Sequence, residues 1–94
     1  MLQGYVNRYK GLRLIASKSA IREIMRYGIS VSDCKNILEE GFDAPRRRAE
    51  GTEEKWLREG TKTYNVVVVK DYNHFYEEAV YLITHIGRFG LWKK

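Results

Sequence analysis

The sequence predicts a small α+β domain in which a strand is followed by two short helices packed on an antiparallel β-meander. Three observations carry this. Four consecutive valines lie within "KTYNVVVVKDY", residues 62–72, and β-branched side chains in series favour extended backbone. The apolar stretch "EEAVYLITHIGRF", residues 77–89, follows after a few polar residues, as the return strand of a hairpin does. Between residues 17 and 41, apolar side chains recur at helical spacing in two stretches, each closed by a glycine. Two amphipathic helices and a meander bury their apolar surfaces most simply when the helices cover one sheet face.

In chain order, residues 1–11 hold two glycines among scattered polar groups and predict a frayed or loosely packed arm. "LRLIAS", residues 12–17, is short, apolar and unbroken, and predicts a buried strand. Ser17 or Ser19 then caps a first helix, because a hydroxyl accepts from first-turn N–H groups that have no partner in the helix. Ile21, Ile24 and Met25 share one face of it, and Tyr27-Gly28 ends it. Ser30 and Asp33 form a capping box for a second helix, with Ile29 and Cys34 as a hydrophobic staple. Val31, Cys34, Ile37 and Leu38 make its apolar face, and Gly41 ends it.

After Pro45, "EEKWLRE", residues 53–59, reads as a short strand. The valine strand is apolar on both faces over Val66–Val69, which places it centrally in the sheet. In the last strand Val80, Leu82 and Ile86 point one way, and Tyr81, Ile83 and His85 the other. The intervening "KDYNHFYEE" predicts a polar and aromatic hairpin loop.

The chain has 94 residues, 44% of them hydrophobic, which suits one domain (1–94) with a modest core. No apolar run approaches the roughly 18 residues of a membrane span. The opening "MLQGYVNRYKGLRL" carries charges where a signal peptide has its apolar segment. A soluble, cytoplasmic protein without a membrane partner is therefore expected. The single cysteine, Cys34, excludes an internal disulfide and a cysteine-cluster zinc site. The net charge of +5 is uneven: residues 1–28 carry +5, residues 29–59 carry −2 and residues 60–94 carry +2. That balance allows weak attraction to a polyanion or serves solubility alone.

Several groups suit chemistry. Arg46, Arg47 and Arg48 stand in a row and suit phosphate binding, although Glu50, Glu53 and Glu54 follow closely and offer ion pairs instead. His85 is the acid–base candidate, since histidine titrates near neutral pH. It falls late in a strand, on the same face as Tyr81 and near Arg88. Tyr64, Tyr72, Phe75, Tyr76, Tyr81, Phe89 and Trp92, interleaved with Lys62, Lys70, Arg88 and Lys93, suit base stacking with phosphate contacts, or else packing or a partner surface. His74 is followed by Glu77 and Glu78, but two histidines without a ligand-spaced motif predict no metal site. Cys34 on an apolar helix face is a poor nucleophile. No glycine-rich phosphate loop and no Ser-His-Asp signature is present, so no cofactor is expected. The helix pair is a poor helix-turn-helix, because "DCKNILEE" would repel phosphates.

Taken together, "LIASKSAIREIMRYGISVSDCKNILEEG", "RRRAEGTEEKWL" and "KTYNVVVVKDYN…VYLITHIGRF" resemble domain-of-unknown-function family 4258 over about residues 12–90. The matching positions are Lys18, Ala20, Gly28, Ile29, Ser30, the basic run Arg46–Arg48, and Thr84 with its apolar flanks. The resemblance implies a fold related to the RelE/ParE and BrnT-like toxins, whose relatives include metal-independent ribonucleases. Three positions depart from the family pattern: Ser19 stands for a histidine, and Glu23 and Tyr27 stand for arginines. Under this resemblance the expected catalytic residues are His85, Tyr64 and Arg88, and the expected nucleic-acid-binding residues are Arg46, Arg47, Arg48, Lys62 and Lys70. The expected partner is RNA. The alternative is a non-catalytic interaction module that binds an antitoxin-like protein or a second copy of itself. In either case an Arg–Glu pairing between the basic run and Glu53 or Glu54 is expected.

Overall fold

The computed structural model describes residues 6–90; Trp92 and Lys93 lie outside them. The elements run β1 (Arg8–Tyr9), β2 (Leu12–Ala16), α1 (Lys18–Tyr27), α2 (Val31–Glu40), β3 (Phe42–Asp43), β4 (Thr52–Glu59), β5 (Lys62–Asn73) and β6 (Glu78–Gly90). They form one six-stranded sheet in the order β1-β2-β6-β5-β4-β3. The meander β4-β5-β6 is antiparallel, but β2 inserts beside β6 in parallel, with Leu14 opposite Tyr81 and Ala16 opposite Ile83. The sheet is therefore mixed, and β5 is central between β4 and β6.

The two helices start and stop where their chemistry directs. Ser17, not Ser19, caps α1 by accepting from the Ala20 N–H at 3.2 Å, and Gly28 ends it in the left-handed conformation at φ 68°. Ser30 and Asp33 close the capping box on α2, with bonds of 3.0 and 2.9 Å. Gly41 ends α2 in extended backbone, where a side chain would strike the Trp56 carbonyl.

Cys34, Ile37 and Leu38 of α2 are buried against Val66, Val68, Ile83, Ile86 and Leu14 of the sheet. The buried stripe of α1 is rotated from the expected one. Ala20 is fully buried, and Ile24 and Tyr27 pack on the core, whereas Ile21 and Met25 are exposed, Met25 to 75%. Positions 20, 24 and 27 form one stripe, and 21 and 25 lie on the next one round, so a ten-residue helix on an edge buries only the first.

The expected loose arm is also corrected over residues 8–11. Arg8 and Tyr9 pair with Arg13 and Leu12 in a tight hairpin, and Tyr9 is 4% exposed. Its hydroxyl donates to Glu53 Oε1 at 2.8 Å, its ring meets Tyr81 edge-on at 5.1 Å, and Lys10 Nζ lies 3.0 Å from Glu53 Oε2. Burial and the hydrogen bond to Glu53 push the Tyr9 phenol well above its ordinary range.

The strand β6 carries the feature that matters most for the site. Val67 pairs with His85, but Val68 pairs with Ile83, so Thr84 is an extra residue in a β-bulge. The bulge shifts the alternation by one. Tyr81, Ile83 and Ile86 all join the core under the helices, contrary to the expected grouping of Ile86 with Leu82. The expected loop over residues 70–78 shrinks to a turn at 74–77, because β5 extends to Asn73 and β6 starts at Glu78.

Candidate functional site

With the phase of each strand fixed, the sheet side away from the core cluster carries Glu54 and Trp56 of β4, Asn65 and Val67 of β5, and His85, Gly87 and Phe89 of β6. The 44–51 segment joins β3 to β4: the Ala44 N–H donates to the Glu54 carbonyl at 3.1 Å and the Lys70 N–H to the Gly51 carbonyl at 3.3 Å, which extends both ladders, and the Arg46 and Arg48 side chains turn onto this side at Glu54.

Glu54 is the centre of the arrangement. Its side chain is closed off from solvent, and its carboxylate accepts five hydrogen bonds. Arg46 Nε (3.0 Å) and Arg48 Nε (2.9 Å) reach Oε1. Arg46 Nη2 (2.8 Å), Trp56 Nε1 (2.9 Å) and Asn65 Nδ2 (3.0 Å) reach Oε2. Burial alone would push the carboxyl up, but these donors, Arg46 first, hold it at about 2. Such a carboxylate does not take up a proton near neutral pH, so it is an anchor rather than a general base. The two guanidiniums it holds stay partly exposed, at 55% and 36% of their side chains. Arg46 is gripped in two-pronged geometry and lies over the Trp56 ring, its guanidinium carbon 5.9 Å from the centroid. Arg48 gives only its Nε to Glu54, and its terminal nitrogens donate to no acceptor among the described residues. Arg47 is exposed and has no ion pair among them. Trp56 also meets Phe89 edge-on at 5.0 Å.

His85 lies on the same sheet row, opposite Val67, which in turn lies opposite Glu54. Two strand spacings therefore separate it from Glu54, roughly 10 Å. Its side chain is half exposed, and Nδ1 lies 3.1 Å from Glu23 Oε2. The floor between His85 and Asn65 is Gly87, where a Cβ would collide with the Asn65 amide oxygen and come within 3.4 Å of His85 Nε2. The bare glycine lets the Asn65 carboxamide lie directly over the β6 backbone with the His85 imidazole beside it, and the anchored arginines are one strand further on.

The bulge separates the expected catalytic set. Tyr64 and Arg88 pair across β5 and β6 on the helix side, whereas His85 is on the other side, together with neither Tyr64 nor Tyr81. Tyr64 lines a cavity of about 210 Å³ with Ile29, Asp33, Asn36, Ile37, Leu57 and Glu59; its two carboxylates oppose a phosphate. Arg88 stacks on Tyr27 at 5.0 Å. Lys62 and Lys70 share the strand phase of Val66 and Val68 and lie at opposite ends of β5, apart from Arg46 and Arg48. Of the expected residues, then, Arg46, Arg48 and His85 share a surface with Arg47 beside them.

Four residues of this surface carry no role that the sequence pattern predicts: Glu23, Asn65, Gly87 and Trp56. Glu23 had a signal, since it is the first acidic residue of a strongly basic segment. The other candidates have structural partners. Glu78 pairs with Arg13 at 2.8 Å, and His74 packs edge-on to Tyr72. Burial, reinforced by the Asp33 charge, pushes the Cys34 thiol up to about 12, which makes it inert. No helix among the described residues is long and apolar enough to cross a membrane.

Compared with known proteins, the chain matches no family model, no curated protein and no solved structure.

Proposed function

We propose that the protein acts on single-stranded RNA, as a metal-independent ribonuclease of the toxin type, through the sheet side that carries Arg46, Arg48 and His85. One observation carries the reading: Glu54 fixes two guanidiniums on a sheet row that also holds a half-exposed histidine. Arginines tethered at one end lose little freedom on meeting a phosphate, and their remaining N–H groups suit its oxygens. The partly exposed Phe89 ring on this side suits a base contact. The order β2-α1-α2-β4-β5-β6, with the two-residue strands β1 and β3 added to it, is consistent with the element order read for the toxin-related family.

The chemistry follows from the residues present. His85 Nε2 takes the proton of a ribose 2′-OH, and the oxygen attacks the adjacent phosphorus. The bond to the 5′-oxygen breaks, and that oxygen leaves with a proton from solvent. The products are a 2′,3′-cyclic phosphate and a 5′-hydroxyl end. Arg46 and Arg48 stabilise the charge that builds on the phosphoryl oxygens. Glu54, Asn65 and Gly87 hold the geometry and do not react.

Two measurements test this. RNA affinity should fall with salt at a logarithmic slope of about −2 for three arginine–phosphate contacts. Incubation of oligoribonucleotides in excess chelator should yield cyclic-phosphate ends, and His85→Ala should abolish them. A flat salt response, or no binding at low salt, would rule the reading out.

The exposure of Ile21, Met25 and Phe75, at 47%, 75% and 86%, favours a second reading, a protein-interaction module binding an antitoxin-like partner or a second copy. Light scattering tests self-association: a strict monomer at high concentration removes the homodimer.

A further inference from the structure

β2 runs beside β6 only as far as Ile83. Beyond that point the edge of β6 has no strand neighbour among the described residues, and an edge N–H left unpaired there would be costly. α1 covers this edge. The Ser17 N–H donates to the Ile83 carbonyl at 3.0 Å, the Ser19 hydroxyl approaches the Thr84 carbonyl at 3.5 Å, and the Ile86 N–H donates to Glu23 Oε1 at 2.7 Å. One oxygen of Glu23 thus does the work of a missing strand. The Thr84 bulge turns His85 outward beside it, and the second oxygen, Oε2, meets His85 Nδ1 at 3.1 Å. A carboxylate is an acceptor only, so the ring nitrogen facing it must carry the proton.

We propose that Glu23 is a positioning residue that holds His85 in its Nδ1–H tautomer and leaves Nε2 as the basic nitrogen beside Gly87. This rests on the RNA-acting reading above for its consequence, but not for its geometry. The backbone bond to Ile86 fixes Glu23 independently of any ligand, so the imidazole is oriented before RNA arrives. Glu23 touches no RNA; it acts through His85. Ser17, Ser19 and the bulge position both partners, and they explain why an acidic residue stands at position 23 in a basic segment.

The test is the ring ¹⁵N spectrum of the whole chain at about pH 9, where an ordinary imidazole is neutral. His74 is the only other histidine and serves as the exposed reference. In the unaltered protein His85 should show Nδ1 protonated and Nε2 bare, while His74 shows the averaged signal of a free ring. Glu23→Gln keeps an amide oxygen for the Ile86 N–H and turns its NH₂ toward Nδ1, so the proton should move to Nε2. A wild-type His85 that is already Nε2–H, or averaged like His74, would overturn the proposal whether or not the variant folds. An unchanged tautomer in Glu23→Gln would overturn it as well.

RNA assays separate the two levels. Glu23→Gln should cut turnover by about 10²-fold or more at unchanged RNA affinity, the magnitude expected when a general base is lost to the wrong tautomer. Equal loss of affinity and turnover would show that Glu23 acts by holding the fold, against the proposal. If the wild type neither binds nor cleaves RNA, the functional reading falls, and the spectrum still decides the tautomer.

Discussion

Arg46 grips both oxygens of Glu54, with Nε 3.0 Å from Oε1 and Nη2 2.8 Å from Oε2, across a carboxylate that is itself closed to solvent. This pair ties an irregular segment to β4, and Arg48, Trp56 and Asn65 complete the same cage. A buried carboxylate is tolerable only with its donors in place.

The first prediction is acid sensitivity. The folded pKa of Glu54 is about 2, below the ordinary 4.5. Its contribution is present in full above pH 4.5 and is lost as the pH falls through the folded value. A shift of this size corresponds to about 3 kcal/mol. Urea unfolding should therefore show stability dropping across that window. Glu54→Gln should flatten the drop and lower stability at pH 7 by about 2–4 kcal/mol. An unchanged midpoint at pH 7 would mean the cage contributes nothing.

The arginine run should divide by residue. Arg47 has no ion pair among the described residues, so Arg47→Ala should leave stability within about 0.5 kcal/mol of wild type. The same change should make the salt slope of RNA binding less steep by about 0.7. Arg46→Ala, which strips a two-pronged partner from a buried carboxylate, should cost about 1–3 kcal/mol. Thermal melts and salt titrations on the pair of variants distinguish these outcomes.

Gly87 should resist substitution. A Cβ there meets the Asn65 amide oxygen, and Asn65 is already committed to Glu54. Gly87→Ala should therefore destabilise by about 1–3 kcal/mol and weaken RNA binding by displacing Asn65 from Glu54. A fully stable variant with normal RNA affinity would show that the close approach of Asn65 to Gly87 is not needed.

The two stripes of α1 should behave oppositely. Met25→Glu, on the exposed stripe, should change stability by no more than about 0.5 kcal/mol. Ile24→Ala, on the stripe packed against the core, should cost about 2 kcal/mol or more. Reversal of this order in a denaturant series would contradict the rotation of α1.

Local chemistry was readable from the sequence. Ser30 and Asp33 announce α2 because a capping box is a contact between near neighbours, and the valine run announces β5 because β-branching acts residue by residue. The Arg–Glu pairing was legible as a class, although only geometry selects Glu54 over Glu53, which instead serves Tyr9, Lys10 and Tyr81. The parallel pairing of β2 with β6 and the two-residue strands β1 and β3 were not legible, since long-range pairing leaves no local pattern. The Thr84 bulge leaves no mark in the sequence pattern, yet it has the largest consequence. Strict alternation puts His85 with Tyr81 and Ile86 with Leu82, and a single extra residue reverses both. The role of Glu23 follows from the same bulge and from the edge that β2 leaves bare.

Backbone amide shifts recorded during titration with a short single-stranded RNA at low salt test the assigned surface most directly. Shifts should concentrate at Arg46, Arg48, Trp56, Asn65, His85, Gly87 and Phe89, and Ile37, Leu57 and Tyr64 on the helix side should stay still. Shifts confined to the helix side, or none at all, would contradict RNA recognition by this face.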